Sequence, residues 1–155
     1  MRKRIYGLLA AVLLCGCTPA SDIQRIQPAD VYDTTKRGFS QVVVTPATAK
    51  IVTVSGTVAF SPDGSVVGEG NLEAQLSAAL DNVAKSLTAA KSSPGDIVQM
   101  RVYVVNLKPE DRAVIVRGLD AFYGDAPRGA STVIGIQGLM RSDLLVEVEA
   151  VGLAR

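Results

Sequence analysis

The 155-residue chain has no histidine and no tryptophan, and its two cysteines, Cys15 and Cys17, both stand near the N-terminus. Without histidine, the commonest general base and the commonest transition-metal ligand are gone. With both cysteines at one end, thiol catalysis, zinc binding and an internal structural disulfide are poor readings for the folded part. Charge of one sign is also lacking: the net charge is +1, and no basic stripe interleaves with aromatic residues. That removes the electrostatic case for a nucleic-acid partner and for ribonuclease chemistry.

What is present is aliphatic. Hydrophobic residues make up 48% of the chain but aromatic residues only 5%. A core of Val, Leu, Ile and Ala in one domain follows from that balance and length.

The first residues, "MRKRIYGLLAAVLLCGCTPA", set Arg2, Lys3 and Arg4 before an apolar run from Ile5 to Gly16. The run is too short for a stable bilayer span and has the layout of a secretory signal peptide, assigned to residues 1–16. Small residues before Cys17 resemble a bacterial lipobox, which makes Cys17 the lipidated first residue of the exported chain. Several acyl chains on one residue bury enough methylene groups for lasting anchoring. The alternative is ordinary cleavage after Ala20, and both readings export the protein. Thr18 stands where an aspartate retains many such lipoproteins at the inner membrane, which favours the periplasmic face of the outer membrane. Beyond the three basic leader residues, 13 Lys and Arg face 15 Asp and Glu, a slightly acidic chain. Residues 17–37 then read as the lipidated cysteine and a tether, polar and with Pro19 and Pro28.

Residues 38–155 read as one folded domain. "SQVVVTPATAKIVTVSGTVAF" predicts two strands around a turn near Pro46, and Ser61-Pro62-Asp63-Gly64 is a turn. Asn71 predicts a helix N-cap. Leu72, Leu76, Ala79, Leu80, Val83, Leu87 and Ala90 follow at helical spacing. Gly68 and Gly70 in "GEGN" lack the spacing of a phosphate loop and read as a turn. Residues 97–107 alternate, with Val98, Met100, Val102 and Val104 on one face and Gln99, Arg101 and Tyr103 on the other. Pro109 opens a second helix that Gly124 ends. Ala130–Ile136 and Leu144–Leu153 complete the order β-β-α-β-α-β-β, an α+β domain with both helices on one sheet face.

Six motifs in this order, "GFSQ", "VSGTV", "LEAQLSAALDNVAKSL", "SSPGDIVQMRVYVVNL", "FYGDAP" and "LLVEVEAVG", resemble the RidA/YjgF family over residues 38–152. The resemblance implies a chorismate-mutase-like fold and a homotrimer whose sheets join into a barrel, with clefts between subunits. It implies cofactor-free hydrolysis of an enamine or imine to a 2-oxo acid and ammonium. In the family an arginine at the start of the fifth strand grips the substrate carboxylate. A glutamate on the last strand positions water, and a tyrosine and an "SG" turn complete the cleft. Glu147 matches the glutamate and Ser55-Gly56 the turn. Phe39 stands at the tyrosine position, without the hydroxyl.

The arginine position is Ala130 or Ser131, depending on the alignment, so the arginine is absent. Arg128 lies beside it and is either a substitute grip or a loop arginine; Arg141, next to Asp143, is a second substitute. Glu147 and Glu149 share a strand face, with Glu149 structural or at the surface; Arg101 with Tyr103 reads as cleft lining or, more commonly for such pairs, as cover of an edge or a subunit contact. The resulting expectation is an exported, lipid-anchored trimer that binds a small carboxylate-bearing metabolite. The competing expectation is an exported enamine/imine hydrolase.

The anchor is open to a direct check: Cys17→Ser should move the protein from the membrane fraction to the soluble fraction. Unchanged partitioning of the variant would rule out lipidation at Cys17.

Overall fold

The computed structural model describes residues 23–34 and 39–154. The leader and Cys17 lie outside that range. No helix among the described residues is long and apolar enough to cross a membrane.

Six strands and two helices form the domain: β1 Gln24–Ile26, β2 Val42–Val44, β3 Lys50–Thr57, α1 Leu72–Ala89, β4 Ile97–Val105, α2 Asp111–Tyr123, β5 Ala130–Ile136 and β6 Val146–Ala154. The main sheet has the order β3-β6-β4-β5. β6 pairs antiparallel with both β3 and β4, whereas β4 and β5 run parallel. A parallel pair needs a crossover, and α2 supplies it. This is the α+β fold expected from the sequence.

α1 begins where its cap predicts. The Asn71 side chain accepts a hydrogen bond from the Ala74 N–H at 3.1 Å, and Glu73 sits favourably in the first turn. Leu76, Ala79, Leu80, Val83 and Leu87 are buried at the helical repeat and rest on the sheet. The sheet meets them with Met100, Val102 and Val104 from β4 and Val146, Val148 and Ala150 from β6. Gln75 is also fully buried, yet satisfied. Its amide donates to the Asp143 carbonyl and accepts from the Leu145 N–H, both at 2.8 Å. That bridge holds the approach to β6, two residues before Glu147. α2 ends at Gly124, whose φ of 53° lies in the left-handed region.

Three expectations change. The strands flanking Pro46 do not pair with each other, because β2 joins β1 in a separate two-stranded sheet and β3 joins β6. Part of the expected tether is therefore folded. Arg25 on β1 donates from Nη2 to the Gly95 carbonyl at 2.8 Å and from Nε to the Arg128 carbonyl at 3.1 Å. A polar, proline-bearing stretch lacks apolar alternation but can still be fixed through backbone pairing and one long side chain. In β4, a register shift between Ile97 and Gln99 takes Val98 off the buried face and puts Ile97 there.

Gly129 fits only without a side chain. A Cβ there would lie 2.6 Å from the Ile97 carbonyl oxygen and 2.8 Å from the Val98 carbonyl carbon, and both are backbone. Gly129→Ala should destabilise the domain by about 2 kcal/mol, as overpacking against a rigid neighbour does. Urea unfolding would measure it, and an unchanged midpoint would show that β5 has room to shift.

Candidate functional site

The expected site residues fall into two groups on opposite sides of the sheet. The first surrounds a groove of about 870 Å³ along the outer edge of β5. Phe39 and Ser131 line it, with Tyr32 from the N-terminal segment and Ile115, Val116 and Leu119 from α2. Of Ala130 and Ser131, Ser131 lines this groove and Ala130 does not. Period-two alternation along β5 separates them.

The second group lies at the β3–β6 pair. β3 is irregular between Val54 and Thr57, where Ser55 and Gly56 break its register with β6. Glu147 fills the resulting space: a Cβ on Gly56 would collide with the Glu147 carboxylate. The match of Ser55, Gly56 and Glu147 to one motif set is thus a spatial juxtaposition. Ser55 and Gly56 also border a smaller hollow of about 420 Å³ with Arg101 and Glu149.

One chain does not unite the two groups. β3 and β5 are opposite edges of the sheet, three strand spacings or roughly 14 Å apart at ~4.8 Å each. Glu147 belongs to the face turned away from the helices, opposite Tyr103 of β4, whereas the groove borders α2.

Arg128 does not reach into the groove as a substitute grip. Its Nη2 lies 2.7 Å from Asp120 Oδ1, its guanidinium stacks 5.3 Å from the Tyr123 ring centroid, and its side chain is 19% exposed. Burial pushes the Tyr123 phenol up to about 12, against the opposing pull of Arg128 and Arg25. Arg128 therefore ties the entry of β5 to the end of α2. Arg141 pairs with Asp143 and stacks over Phe60 at 5.2 Å, by the turn at Gly64. It is on the lining of neither the groove nor the smaller hollow.

Arg101 and Tyr103, read as edge cover, converge on Glu149. Arg101 Nη1 donates to Glu149 Oε1 at 2.6 Å and the Tyr103 hydroxyl donates to the same oxygen at 3.1 Å. The Arg101 hydrogen bond holds the Glu149 carboxyl below its ordinary value. Sequence periodicity placed Arg101 with Tyr103 on one strand face and Glu149 with Glu147 on another; only the register, Arg101 opposite Glu149, makes them partners. Among the described residues, no cluster of carboxylates and cysteines is arranged to hold a metal.

The fold and motif set define a small α+β protein with a groove beside β5 at one sheet edge and the Gly56–Glu147 corner towards the other. The Endoribonuclease L-PSP family model matches residues 21–154, and the chain belongs to that family. The crystal structure of YyfB from Yersinia pestis, a protein of unknown function of the conserved Rid family, is 34% identical. The match covers 84% of this chain and 98% of that one, with a TM-score of 0.80. The YjgF gene product of E. coli is 26% identical over 71% of this chain and 85% of its own, with a TM-score of 0.60. E. coli TdcF, solved with bound serine, shares the fold at 23% identity, covering 72% and 85% of the two chains with a TM-score of 0.60. No match is found among the curated proteins.

A depressed carboxylate gives a pH signature with a definite sign. The stabilisation from the Arg101–Glu149 pair is present above Glu149's unfolded value and is lost as pH falls through its lower folded value. NMR titration of the Glu149 carboxyl should show a midpoint below 4.5, shifted upward in Arg101→Gln. Equal midpoints in parent and variant would mean that the pair is not formed in solution.

Proposed function

We propose that this protein is an exported, lipid-anchored member of the family that binds a small carboxylate-bearing metabolite as a homotrimer, with weak or no enamine/imine deaminase activity. The observation that carries this reading is that neither Ala130 nor Ser131, at the start of β5, carries a charge. The family position is Ala130 or Ser131, and Arg128 is engaged with Asp120 and Tyr123. Losing one preorganised charged contact removes about 3 kcal/mol of transition-state stabilisation. The trimer is supported by the division of the site. The β5 groove and the Gly56–Glu147 corner occupy opposite sheet edges, so a ring of copies that brings β5 of one chain to β3 of the next would complete a cleft. No cofactor enters this reading.

The second reading, an exported enamine/imine hydrolase, is favoured by Glu147 set against Gly56. There, water held by the Glu147 carboxylate adds its oxygen to the imine carbon while a proton goes to nitrogen. Cleavage of the carbon–nitrogen bond then releases a 2-oxo acid and ammonium. In that case the carboxylate grip comes from another group.

The discriminating assay is 2-oxo acid release from enzymatically generated 2-aminoacrylate. The binding reading expects parent activity near background, with a gain of about tenfold or more in Ala130→Arg or Ser131→Arg, equivalent to one charged hydrogen bond. Robust parent activity that disappears in Glu147→Ala would overturn it in favour of the hydrolase.

A further inference from the structure

The groove beside β5 has an apolar floor and a basic rim. Leu107, Val116 and Val133 on its wall are 37, 42 and 39% exposed, so a contiguous apolar strip is uncovered in the single chain. Phe39 and Leu119 extend that strip over the buried Ile115. At one end, Lys108 and Arg112 border the same space.

These two cations are notable for what they do not contact. Arg101, Arg117, Arg128 and Arg141 each hold a carboxylate. Neither the Lys108 ammonium nor the Arg112 guanidinium makes an ion pair or hydrogen bond among the described residues. The adjacent acid does not serve them, because Asp111 Oδ2 accepts the Lys108 backbone N–H at 2.8 Å. Arg112 also stands in the first turn of α2, where the helix dipole disfavours a cation and favours an anion. Two unpaired cations, one of them set against the dipole, at the mouth of an apolar groove, complement an anion with an apolar body.

We propose that the groove is a binding site for monocarboxylates carrying an aryl or branched aliphatic body, the carboxylate gripped by Arg112 and Lys108. The grip has moved from the start of β5, where Ala130 and Ser131 stand, to the start of α2. The body lies along Val116, Leu119 and Val133 towards Phe39. Ser131, also on the lining, offers a hydroxyl for a polar substituent. This assignment deepens the metabolite-binding reading and rests on it; it names the ligand class and the residues that select it.

Calorimetric titration of the full-length protein with three probes tests it: 3-phenylpropanoate, its neutral analogue 3-phenylpropanol, and pyruvate, which has the carboxylate without the body. Phenylpropanoate should bind about tenfold or more tightly than either, the factor expected for one charge-assisted contact or one buried apolar group. Arg112→Gln and Lys108→Gln are exposed substitutions that leave the core untouched. Each should weaken phenylpropanoate several-fold and leave phenylpropanol unchanged. Phenylpropanoate binding that is insensitive to both substitutions would overturn the proposal. Pyruvate binding as tightly as phenylpropanoate would leave the metabolite reading standing and remove this one. Binding of none of the probes would remove this proposal and leave the metabolite reading to the 2-aminoacrylate assay.

Discussion

The register of β6 is the constraint on which the rest depends. Its side chains alternate, so Val146, Val148 and Ala150 enter the core beneath α1 while Glu147 and Glu149 face the other way. A slip of one residue would exchange the sets and push two carboxylates into an aliphatic interior. That penalty, enforced from both sides by β3 and β4, places each glutamate. Glu149 then meets Arg101, and Glu147 meets the irregular Ser55–Gly56 stretch of β3. Gln75 adds a polar lock by bonding both the Asp143 carbonyl and the Leu145 N–H in an otherwise apolar layer. A buried amide with both ends satisfied specifies a position where hydrophobic contact alone would allow sliding.

A second set of contacts gathers around the entry to β5. Gly129 lets that strand lie close against the backbone of residues 97–98. The Arg128 carbonyl accepts hydrogen bonds from Arg25 and from the Ser40 hydroxyl, while its guanidinium reaches Asp120 and Tyr123. One residue thus joins the N-terminal strand, the end of α2 and the main sheet. The proximity of Arg128 to the family's ligand-gripping position reflects this structural task. A cation packed on a buried ring and paired with a carboxylate is already engaged.

The chain also separates scaffold from chemistry. The fold follows the family pattern, whereas Ala130 and Ser131, at the start of β5 beside the groove, carry no charge. In the same groove, Arg112 and Lys108 supply positive charge from a different element, beside an apolar wall.

Much of this was legible along the chain. Asn71 announced α1, Gly124 ended α2, Ala130–Ile136 matched β5 residue for residue, and alternation in β4 and β6 separated core valines from outward charges. These are local signals, set by caps, φ angles and side-chain period, and they are written in neighbouring residues. The strand Gln24–Ile26 was not legible, because its order comes from β2 and from Arg25 bonding to Gly95, 70 residues away. The direction of Arg128 and the convergence of Arg101 and Tyr103 on Glu149 were hidden for the same reason. Nothing along the chain marked Lys108 and Arg112; packing placed them beside Val116 and Val133. The sequence by itself determined most of the elements and most of the sheet-facing residues, since composition and periodicity are properties of one stretch. Tertiary structure alone decided which charges are engaged and which face a groove, because that depends on distances between segments far apart in the chain.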